Sequence, residues 1–522
     1  MALTSRKVAF LDLPHELVAE ILTYLHFRDL LRVTTLCRTL NQTVTHSVEL
    51  QYKIELGADG MVDGPRTPGS MPIADRLRLL LDRRKRWQNL DWTQQITLPL
   101  HGACQAYEMV AGVFAKTMTI PGHTGSRYLA CTWLPTRSEP AHTLVKEDIG
   151  IPSRDFAIDP SQDLIALVDV DESFDNIQIQ ISLRTISTNK QHPLASKAEL
   201  IGQVPLHVNS CFIQFVQDVV GMFFWVDGPG LMIWNWHTGE LVVRALQSEL
   251  HHGTWDFSFL SSRAFMLTTI GGSGSIEIYS FSGHAITHED GSLVPPAHAA
   301  SLRLPDLKDP YEIRKFSTHS SPFLGGNISR GKPFTTSQEN RVHLMSIHYG
   351  AQGPRFHLLI KNDFLLSHVP PNFAYQDQSK AVTKQWSEWG VKNSRFLEHN
   401  VSFKWLRYVH GQRVVLPPFP ISGRPGSPNH KSKVCIIDFN VWPRRKVKDG
   451  EVPDNLATGI STVPAMNIFE EDVVSSLPYA VYSRVGPFEH SGFMIDEERL
   501  VGLQLPQSHQ ESDLGDIDVF TF

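Results

Sequence analysis

Cysteine is scarce in this chain, which has five cysteines among 522 residues. They are scattered and odd in number, and no two have the spacing of a zinc knuckle or a redox Cys-x-x-Cys pair: Cys37, Cys104, Cys131, Cys211 and Cys435. A disulfide-stapled secreted fold is therefore not expected, and reduced thiols are the simplest account. We accordingly expect a cytoplasmic or nuclear location.

Long apolar runs are also lacking. The richest stretch, residues 212–226, is interrupted by Gln214, Gln217 and Asp218, so neither a spanning helix nor a membrane partner is expected. Near the N-terminus, two basic residues precede an apolar stretch that Asp12 interrupts. This pattern argues against a secretory signal peptide.

An excess of positive charge is absent too. The net charge is -6 and the pI is about 6.5, so the chain has no overall basic surface for nucleic acid. A hydrophobic content of 41% and a charged content of 20% are ordinary for a folded protein. The length suffices for two or three domains.

Residues 10–46 have the spacing of short amphipathic helices. Pro14 suits a first helical position, and Glu16 suits a first turn beside the positive end of the helix dipole. An apolar face follows, formed by Leu17, Val18, Ile21, Leu22 and Leu25. A break at residues 26–28 precedes a second predicted helix, with its stripe at Leu30, Val33, Leu36, Cys37, Leu40 and Val44. Two or three short helices this apolar cannot cover one another within roughly 40 residues, so a protein partner is implied.

The order of these residues resembles the F-box. The matching positions are Leu13, Pro14, Glu16, Leu17, Ile21, Leu22, Leu25, Asp29, Leu30, Val33 and Cys37, with Leu40 where an aromatic is common. F-box helices bind the Skp-type adaptor of Skp–cullin–F-box ubiquitin ligases. The resemblance implies an adaptor contact through Leu13, Pro14, Glu16, Leu17, Ile21, Leu22, Leu25, Leu30, Leu31, Val33 and Cys37. The alternative is an ordinary helical hairpin packed on its own domain.

The next segment is predicted to link this module to the rest. Residues 57–72 are rich in Gly, Pro, Asp and Ser and are typical of a loop. An amphipathic helix is predicted from about Ile73 to Leu90. Its basic cluster at residues 83–86 has the composition of a nuclear-import or phosphate-binding patch, but it is more typical of the solvated side of a helix.

From about residue 98 onward, the pattern favours an all-β domain. Short runs of β-branched and aromatic residues alternate with polar residues and turn clusters, and long helical patterns are scarce. Predicted strands include Tyr107–Phe114, Leu164–Val170, Val219–Val226, Arg263–Ile270 and Ile517–Phe522. Stretches rich in Pro, Gly and Ser near residues 318–337 and 416–432 are predicted as loops outside the sheets.

A loose repeat indicates the architecture of this domain. Versions of it begin at Asp155, Val219, Asp256 and Gly492, and each reads as strand, turn, strand, polar turn and strand. The plan resembles the WD-type repeats of β-propellers, although the Gly-His and Trp-Asp signatures are missing. A blade of about 40–60 residues gives six to eight blades, with residues 516–522 closing the ring. A non-propeller β-rich domain, or two sandwiches, is the alternative.

The expected fold class is therefore α+β and multidomain. A helical F-box module is predicted at residues 1–56, a linker loop and helix at 57–97, and a β-propeller-like partner-binding domain at 98–522. The whole plan also resembles a large group of fungal F-box proteins.

No catalytic or metal-binding motif emerges. The acidic stretch 169–176 has Phe174 where a calcium loop needs Gly. His251, His252 and His319 have no partner at metal-binding spacing in the sequence, and residues 271–275 fit neither a nucleophile elbow nor a Walker loop. No cofactor is expected. The tryptophans, including Trp225, Trp234, Trp236, Trp255 and Trp405, are expected to pack the blades.

These patterns predict a non-catalytic adaptor that binds a Skp-type adaptor, through it a cullin, and a target protein. Propeller receptors often grip phosphorylated segments with clustered arginines. Candidates of that kind are Arg154, Arg184, Arg244 and Arg263, but the sequence does not place them on one face. A scaffold acting outside ubiquitination and a propeller enzyme are the alternatives.

Overall fold

The structure, a computed structural model, describes residues 10–100, 102–137, 139–171, 177–204, 208–325, 332–370, 381–398, 403, 405–423, 427, 429–441, 455–465, 468–504 and 515–522. The chain divides into two compact units. The first comprises residues 1–91 with 328–337 and 440–454, and the second comprises the remainder. These two compact units are not the three predicted domains, so the domain boundaries at residues 56 and 97 stay a prediction.

Five helices are described in the first unit. They are α1 (His15–Leu22), α2 (Phe27–Val33), α3 (Arg38–His46), α4 (Val48–Ala58) and α5 (Ile73–Asn89), preceded by a 3-10 turn at Phe10–Asp12. Helix α4 was not indicated by the sequence pattern. It starts at a serine cap, where the Ser47 hydroxyl accepts a hydrogen bond from the Leu50 amide at 3.3 Å.

The single helix predicted after residue 28 is wrong, because α2 ends at Val33 and α3 starts at Arg38. Two threonines explain the break. The hydroxyls of Thr34 and Thr35 donate to main-chain carbonyls three residues earlier, each at 2.7 Å. The Asn41 side chain donates to the carbonyl of Thr34 at 3.0 Å. Such side-chain bonds compete with the helical ladder.

Helices α1 to α4 pack around one apolar core of their own. Its buried members are Val18, Leu22, Leu30, Leu40, Val44, Leu50 and Ile54. Each buried aliphatic side chain stabilises the fold by about 1.5–3 kcal/mol relative to exposure. The F-box-like helices are therefore held together partly by α4, which supplies Leu50 and Ile54.

The linker helix α5 carries a buried arginine that ties the rest of this unit together. The Arg76 side chain is 2% exposed and donates to the Asp63 carboxylate at 2.7 Å. It also donates to the carbonyl of Pro333 at 3.0 Å. The Tyr52 hydroxyl of α4 donates to the same carboxylate at 2.7 Å. Burial and this carboxylate raise the pKa of Tyr52 above its ordinary range, so the phenol stays a donor.

A two-stranded sheet brings a distant segment into the first unit. Met61–Asp63 pairs antiparallel with Phe334–Thr336, although some 270 residues lie between them. Phe334 packs with Tyr52 and Leu80 in a second apolar cluster. Part of the stretch predicted as a loop at 318–337 is therefore a strand that lies outside the blades.

The basic cluster of α5 is not the solvated surface that its sequence predicts. Arg83 is 9% exposed, and Arg84 pairs with Glu55 and Asp59 of the α4 region, both at 2.8 Å. Arg86 pairs at 2.8 Å with a carboxylate one turn earlier. Although burial opposes it, the two carboxylates raise the pKa of Arg84. Within the first unit, Arg84 and Arg86 therefore form ion pairs and Arg83 is buried, whereas Lys85 is exposed.

Seven sheets of four or five strands are described in the second unit, and together they form a seven-bladed β-propeller. Their strands are listed by blade as follows. Blade 1 has Ala106–Val110, Val113–Thr119, Ser126–Trp133 and His142–Lys146; blade 2 has Asp155–Asp159, Leu164–Asp171, Ile177–Thr185 and Glu199–Val204; blade 3 has Ser210–Val216, Val219–Trp225, Pro229–Asn235 and Glu240–Ala245. Blade 4 has Thr254–Ser261, Ala264–Thr269, Ser275–Ser280, Ala297–Arg303 and Val382–Lys384; blade 5 has Ile313–His319, Val342–Tyr349, Arg355–Lys361 and Ser394–Glu398. Blade 6 has Val409–His410, Arg413–Ser422, Lys431–Asp438, Tyr479–Gly486 and Leu456–Ala457; blade 7 has His490–Ile495, Arg499–Gln504, Ile517–Thr521 and Gln94–Leu98.

Shorter elements complete the second unit. Helices α6 (Asn362–Leu366) and α7 (Trp386–Asn393) lie in sequence between the third and fourth strands of blade 5. A small hairpin joins Ser461–Val463 to Val473–Ser475. A 3-10 turn at Pro160–Gln162 connects two strands of blade 2.

The ring is closed by blade 7, which combines strands from both ends of the propeller sequence. Gln94–Leu98 pairs with Ile517–Thr521, as the prediction of a closing strand at 516–522 requires. The Asp518 carboxylate accepts hydrogen bonds from His490 at 2.8 Å, from Gln504 at 3.1 Å and from the Thr97 hydroxyl. Although burial opposes it, these bonds lower the pKa of Asp518 to about 2.

The four repeats seen in the sequence correspond to blades 2, 3, 4 and 7, so the propeller prediction is confirmed. One predicted strand is wrong: Tyr107–Phe114 is a hairpin of two strands. Its turn is formed by Ala111 and Gly112, with φ of 50° and 80°. Two consecutive left-handed residues are typical of the tight turn that matches the twist of a hairpin.

The loop predicted at 416–432 is wrong in part, because Arg413–Ser422 is a strand of blade 6. Its consecutive prolines, Pro417 and Pro418, lie where the pairing register shifts between Leu416 and Phe419. Proline has no N–H for the ladder and is tolerated at such irregularities. The proline-rich composition therefore marks a bulge rather than a loop.

Candidate adaptor surface and propeller channel

Helix α1 leaves apolar side chains in solvent along one face. Leu17 is 46% exposed, Ile21 is 45% exposed and Tyr24, just past the helix end, is 83% exposed. Spacings of four and three residues place them in a row on the helix. The neighbouring Phe10 and Leu11 are exposed as well. We call Phe10, Leu11, Leu17, Ile21 and Tyr24 the α1 surface; such exposed apolar groups are typical of a binding site.

The residues predicted to contact an adaptor fall into three classes. Pro14, Glu16, Leu17 and Ile21 are exposed; Leu13, Leu25, Leu31, Val33 and Cys37 are half-buried; Leu22 and Leu30 are buried in the module's own core. Leu22 and Leu30 therefore stabilise the helical module from its core and are not part of its exposed surface. Adaptor binding by the predicted set stays a prediction.

Three members of the α1 surface were missed by the sequence reasoning. Phe10 and Leu11 precede the first predicted helical turn, and Tyr24 was left out of the apolar face although it is one turn from Ile21. A count of helical spacings that included aromatics would have found Tyr24. Leu36, noted in the second apolar stripe, is 70% exposed because the chain breaks there.

A cavity of about 620 Å³ lies in the centre of the propeller unit. The first strands of blades 1 to 5, and the residues leading into blade 6, all contribute to its wall. Innermost strands converge on the central channel of a propeller, so this cavity is the channel. A volume of this size is within the range of ligand and peptide sites.

Acidic groups outnumber basic ones in the channel wall. Glu108, Asp155 and Asp256 line it, and Arg407 is the one arginine or lysine among its described lining residues. Arg407 is already paired with Glu108. Burial raises the pKa of Asp155 to about 7, and it raises that of Asp256 to about 7 as well. The Asp256 carboxylate accepts from the Thr318 amide at 2.6 Å, which partly opposes that rise.

Aromatic side chains form another part of the channel wall. Trp225 of blade 3 and Trp255 of blade 4 meet edge to face, with ring centroids 5.7 Å apart. Phe212 and Phe223 line the cavity beside them. The tryptophans pack the blades as expected: Trp225 and Trp255 lie partly buried against apolar clusters, and Trp234 and Trp236 are buried in blade 3 and just after it. Trp225 and Trp255 line the cavity as well.

The four arginines considered as phosphate ligands do not gather in the channel. None of Arg154, Arg184, Arg244 and Arg263 is among its described lining residues. Arg263 is paired with Asp218 at 2.6 Å. Within the described part of the wall, His319 is kept neutral, because burial, with a smaller effect of Arg407, lowers its pKa to about 4.

The structure corrects the sequence-based statement that His251 lacks a metal-binding companion. His251, Glu277 and His298 come together in blade 4, with their ligand atoms within 4.8 Å of one another. Twenty-six and 21 residues separate them in the sequence, so no short motif signals the group. The acidic stretch considered as a calcium loop lies largely outside the described residues.

Every helix among the described residues is too short or too polar to cross a membrane.

The N-terminal residues match a known family. An F-box-like family model matches residues 10–54, which comprise α1 to α3 and part of α4. No curated protein matches the chain.

Among solved structures, the chain is similar to the WD40 domain of SCAP from fission yeast, with 9% identity, 81% of this chain and 82% of that chain covered, and a TM-score of 0.36. The complex of the fission yeast SREBP–SCAP binding domains gives 11% identity, coverage of 58% and 87%, and a TM-score of 0.30. A eukaryotic initiation factor gives 12% identity, coverage of 73% and 91%, and a TM-score of 0.26. These scores carry no functional inference.

A helical interaction module joined to a propeller suggests an adaptor for protein–protein interaction, an architecture typical of non-catalytic adaptors. The chain carries an F-box-like domain at residues 10–54 followed by a seven-bladed β-propeller, and it fits an F-box protein with a propeller domain.

Proposed function

We propose that this protein is the substrate-recognition subunit of a Skp–cullin–F-box ubiquitin ligase in the cytoplasm or nucleus. The observation that carries the proposal is the α1 surface within a domain that matches the F-box-like family. F-box domains generally bind Skp-type adaptors, and through them a cullin. The propeller then holds a target protein for ubiquitin transfer.

The channel is the proposed target site, and its chemistry favours a segment carrying lysine or arginine. Carboxyl groups line it in excess of arginine, and Trp225 and Trp255 line it as well. A cation over an indole gains about 0.5–2 kcal/mol, and a neighbouring carboxylate such as Asp256 adds to that. A phosphorylated segment would meet the carboxyl groups instead and be repelled.

The ligase assignment is tested by reconstitution. The full-length chain is co-expressed with a recombinant Skp-type adaptor, purified, and mixed with a cullin bound to its RING subunit. We expect a complex of one chain, one adaptor and one cullin on size-exclusion chromatography. A chain that elutes alone, with the adaptor in a separate peak, contradicts the proposal.

A scaffold acting outside ubiquitination is separated by the same experiment carried out in cells. Immunoprecipitation of the tagged chain that recovers the adaptor but not the cullin favours the scaffold. Recovery of both favours the ligase. A variant carrying L17A and I21A serves as the control for recovery through the α1 surface.

The target site is tested with labelled peptides on the adaptor-bound chain. Peptides of one length, rich in lysine, in glutamate or in phosphoserine, are compared by fluorescence anisotropy. We expect the lysine peptide to bind tightest and W255A or D256N to weaken it about tenfold, in line with a loss of about 1.4 kcal/mol. Preference for the phosphoserine peptide contradicts the channel assignment.

One observation favours a second candidate, a propeller enzyme. The sequence shows no paired carboxylates, but the structure places Asp155 and Asp256 on one cavity with pKa values of about 7. Such carboxyl groups suit general acid–base catalysis near neutral pH. Screening the full-length chain against glycosides and uronates tests it: turnover that D155N abolishes favours the enzyme, and its absence favours the adaptor.

A further inference from the structure

We propose that His251, Glu277 and His298 of blade 4 bind one divalent transition-metal ion, and that Zn²⁺ is the ion that suits them best. Glu277 lies on the third strand of the blade and His298 on the fourth, while His251 lies on the loop that enters the first strand. Their ligand atoms all lie within 4.8 Å of one another. Two imidazoles and one carboxylate, with water as a fourth ligand, form a familiar zinc coordination set.

The distances fit an ion with small side-chain adjustments. The Nε2 atom of His298 lies 2.8 Å from Oε2 of Glu277, and Nε2 of His251 lies 3.7 Å from the same oxygen. In a tetrahedral site with metal–ligand bonds of about 2.0–2.1 Å, neighbouring ligand atoms are about 3.3 Å apart. The two distances to Glu277 bracket that value, and the ligand atoms of the two histidines lie within 4.8 Å of each other.

Glu277 is held so that one oxygen is free for the histidines. Its side chain is 1% exposed. The Oε1 atom accepts hydrogen bonds from the hydroxyls of Ser275 and Ser301, the second at 2.9 Å. The Oε2 atom therefore faces both imidazoles. Hydrogen bonds of this kind orient metal ligands and are part of a built site.

The histidines are also positioned by their neighbours. The ring of Tyr279 stacks on that of His298, with centroids 4.7 Å apart and planes 23° apart. The carbonyl of His251 accepts hydrogen bonds from the Thr254 amide at 3.0 Å and its hydroxyl at 2.7 Å. Gly253, at φ +77°, permits the tight loop, and a Cβ there would lie 2.7 Å from the Gly271 nitrogen.

An ordinary ion pair explains only part of this arrangement. His298 lies at hydrogen-bond distance from the buried Glu277 carboxylate, 2.8 Å away. His251 lies 3.7 Å from the same oxygen, which is within ion-pair distance but beyond hydrogen-bond distance. Two imidazoles directed at one carboxylate oxygen are also the arrangement that a shared cation requires. Side-chain exposures of 42% for His251 and 17% for His298 give an ion access from solvent.

Zinc titration of the full-length chain tests the site. The chain is purified without a histidine tag, treated with chelator, and titrated with Zn²⁺ by calorimetry, with bound metal counted by elemental analysis. We expect one Zn²⁺ per chain, a raised Tm in zinc, and visible absorption bands of imidazole-bound Co²⁺ after cobalt substitution. The H251A and H298A variants should weaken zinc binding at least about tenfold.

H252A is the matched control, because His252 is the adjacent exposed histidine and lies outside the group. It should bind Zn²⁺ as the wild type does. H251A changes an exposed loop residue, so its metal-free Tm should match the wild type and its zinc loss will not be a folding defect. Absence of zinc binding by the wild type, or equal binding by the wild type, H251A and H298A, overturns the proposal.

Discussion

Leu17 and Ile21 give the sharpest test of adaptor binding, because they are half exposed and are not part of the module's buried core. Full burial of a leucine or isoleucine is worth about 1.5–3 kcal/mol. With 46% and 45% of the two side chains exposed, covering them in an interface contributes about 0.7–1.4 kcal/mol each. The L17A/I21A variant should therefore lose about 1.4–2.8 kcal/mol, or roughly 10–100-fold in Kd.

The assay is biolayer interferometry with an immobilised Skp-type adaptor and the full-length chain in solution. L194A is the matched control, since Leu194 is a 59% exposed leucine of the propeller unit. L22A is the opposite comparison, since Leu22 is 3% exposed. It should lower the free energy of unfolding by about 2–5 kcal/mol instead of acting through the interface.

The outcome that refutes the reasoning is specific. If L17A/I21A binds the adaptor like the wild type and like L194A, with an unchanged Tm, the α1 surface is not the interface. If L17A/I21A lowers the Tm as much as L22A does, the two side chains belong to the core and their exposure has been misjudged.

Three further outcomes are expected. R76M should destabilise the chain by about 2–4 kcal/mol in urea unfolding, because it removes the buried guanidinium that donates to the Asp63 carboxylate and to the Pro333 carbonyl. R78A, at an 82% exposed arginine, should change the free energy of unfolding by less than about 0.5 kcal/mol. D518N should lower the free energy of unfolding by about 1 kcal/mol at neutral pH, allowing for solvent screening. Because the folded-state pKa of Asp518 is depressed, this contribution is complete above about pH 4 and is lost as the pH falls from about 4 to about 2. A difference between D518N and the wild type that persists at pH 2 contradicts this. Removing residues 517–522 should open blade 7 and make the propeller unit sensitive to limited proteolysis, and an unchanged digestion pattern contradicts that.

Local pattern predicted the elements that depend on local contacts. The apolar spacing of residues 17–25 predicted α1, and the strand–turn–strand repeats predicted the propeller, since both signals arise within a few residues. The same local spacing could not predict which of these apolar side chains are buried. Leu22 and Ile21 are neighbours of one chemistry, yet only Leu22 faces the core, because α3 packs against one side of α1 and the other side stays exposed.

The channel and the metal-ligand group depend on contacts between distant residues. Asp155, Trp225 and Asp256 belong to three different blades and line one cavity, the two aspartates from first strands and Trp225 from the end of a second strand. His251, Glu277 and His298 meet because one blade folds its loop and outer strands together. Likewise, Arg84 of α5 looks solvated in the sequence because its carboxylate partners, Glu55 and Asp59, lie more than 20 residues earlier.

The pairing of Met61–Asp63 with Phe334–Thr336 has a practical consequence for dissecting the protein. An expression fragment that stops at residue 91 keeps the F-box-like helices but loses the strand that Met61–Asp63 needs and the Pro333 carbonyl that Arg76 needs. Such a fragment exposes an unpaired strand edge, which invites aggregation. Biochemistry on the isolated helices would thus report on a damaged module, and the intact chain is the proper specimen for measuring adaptor affinity.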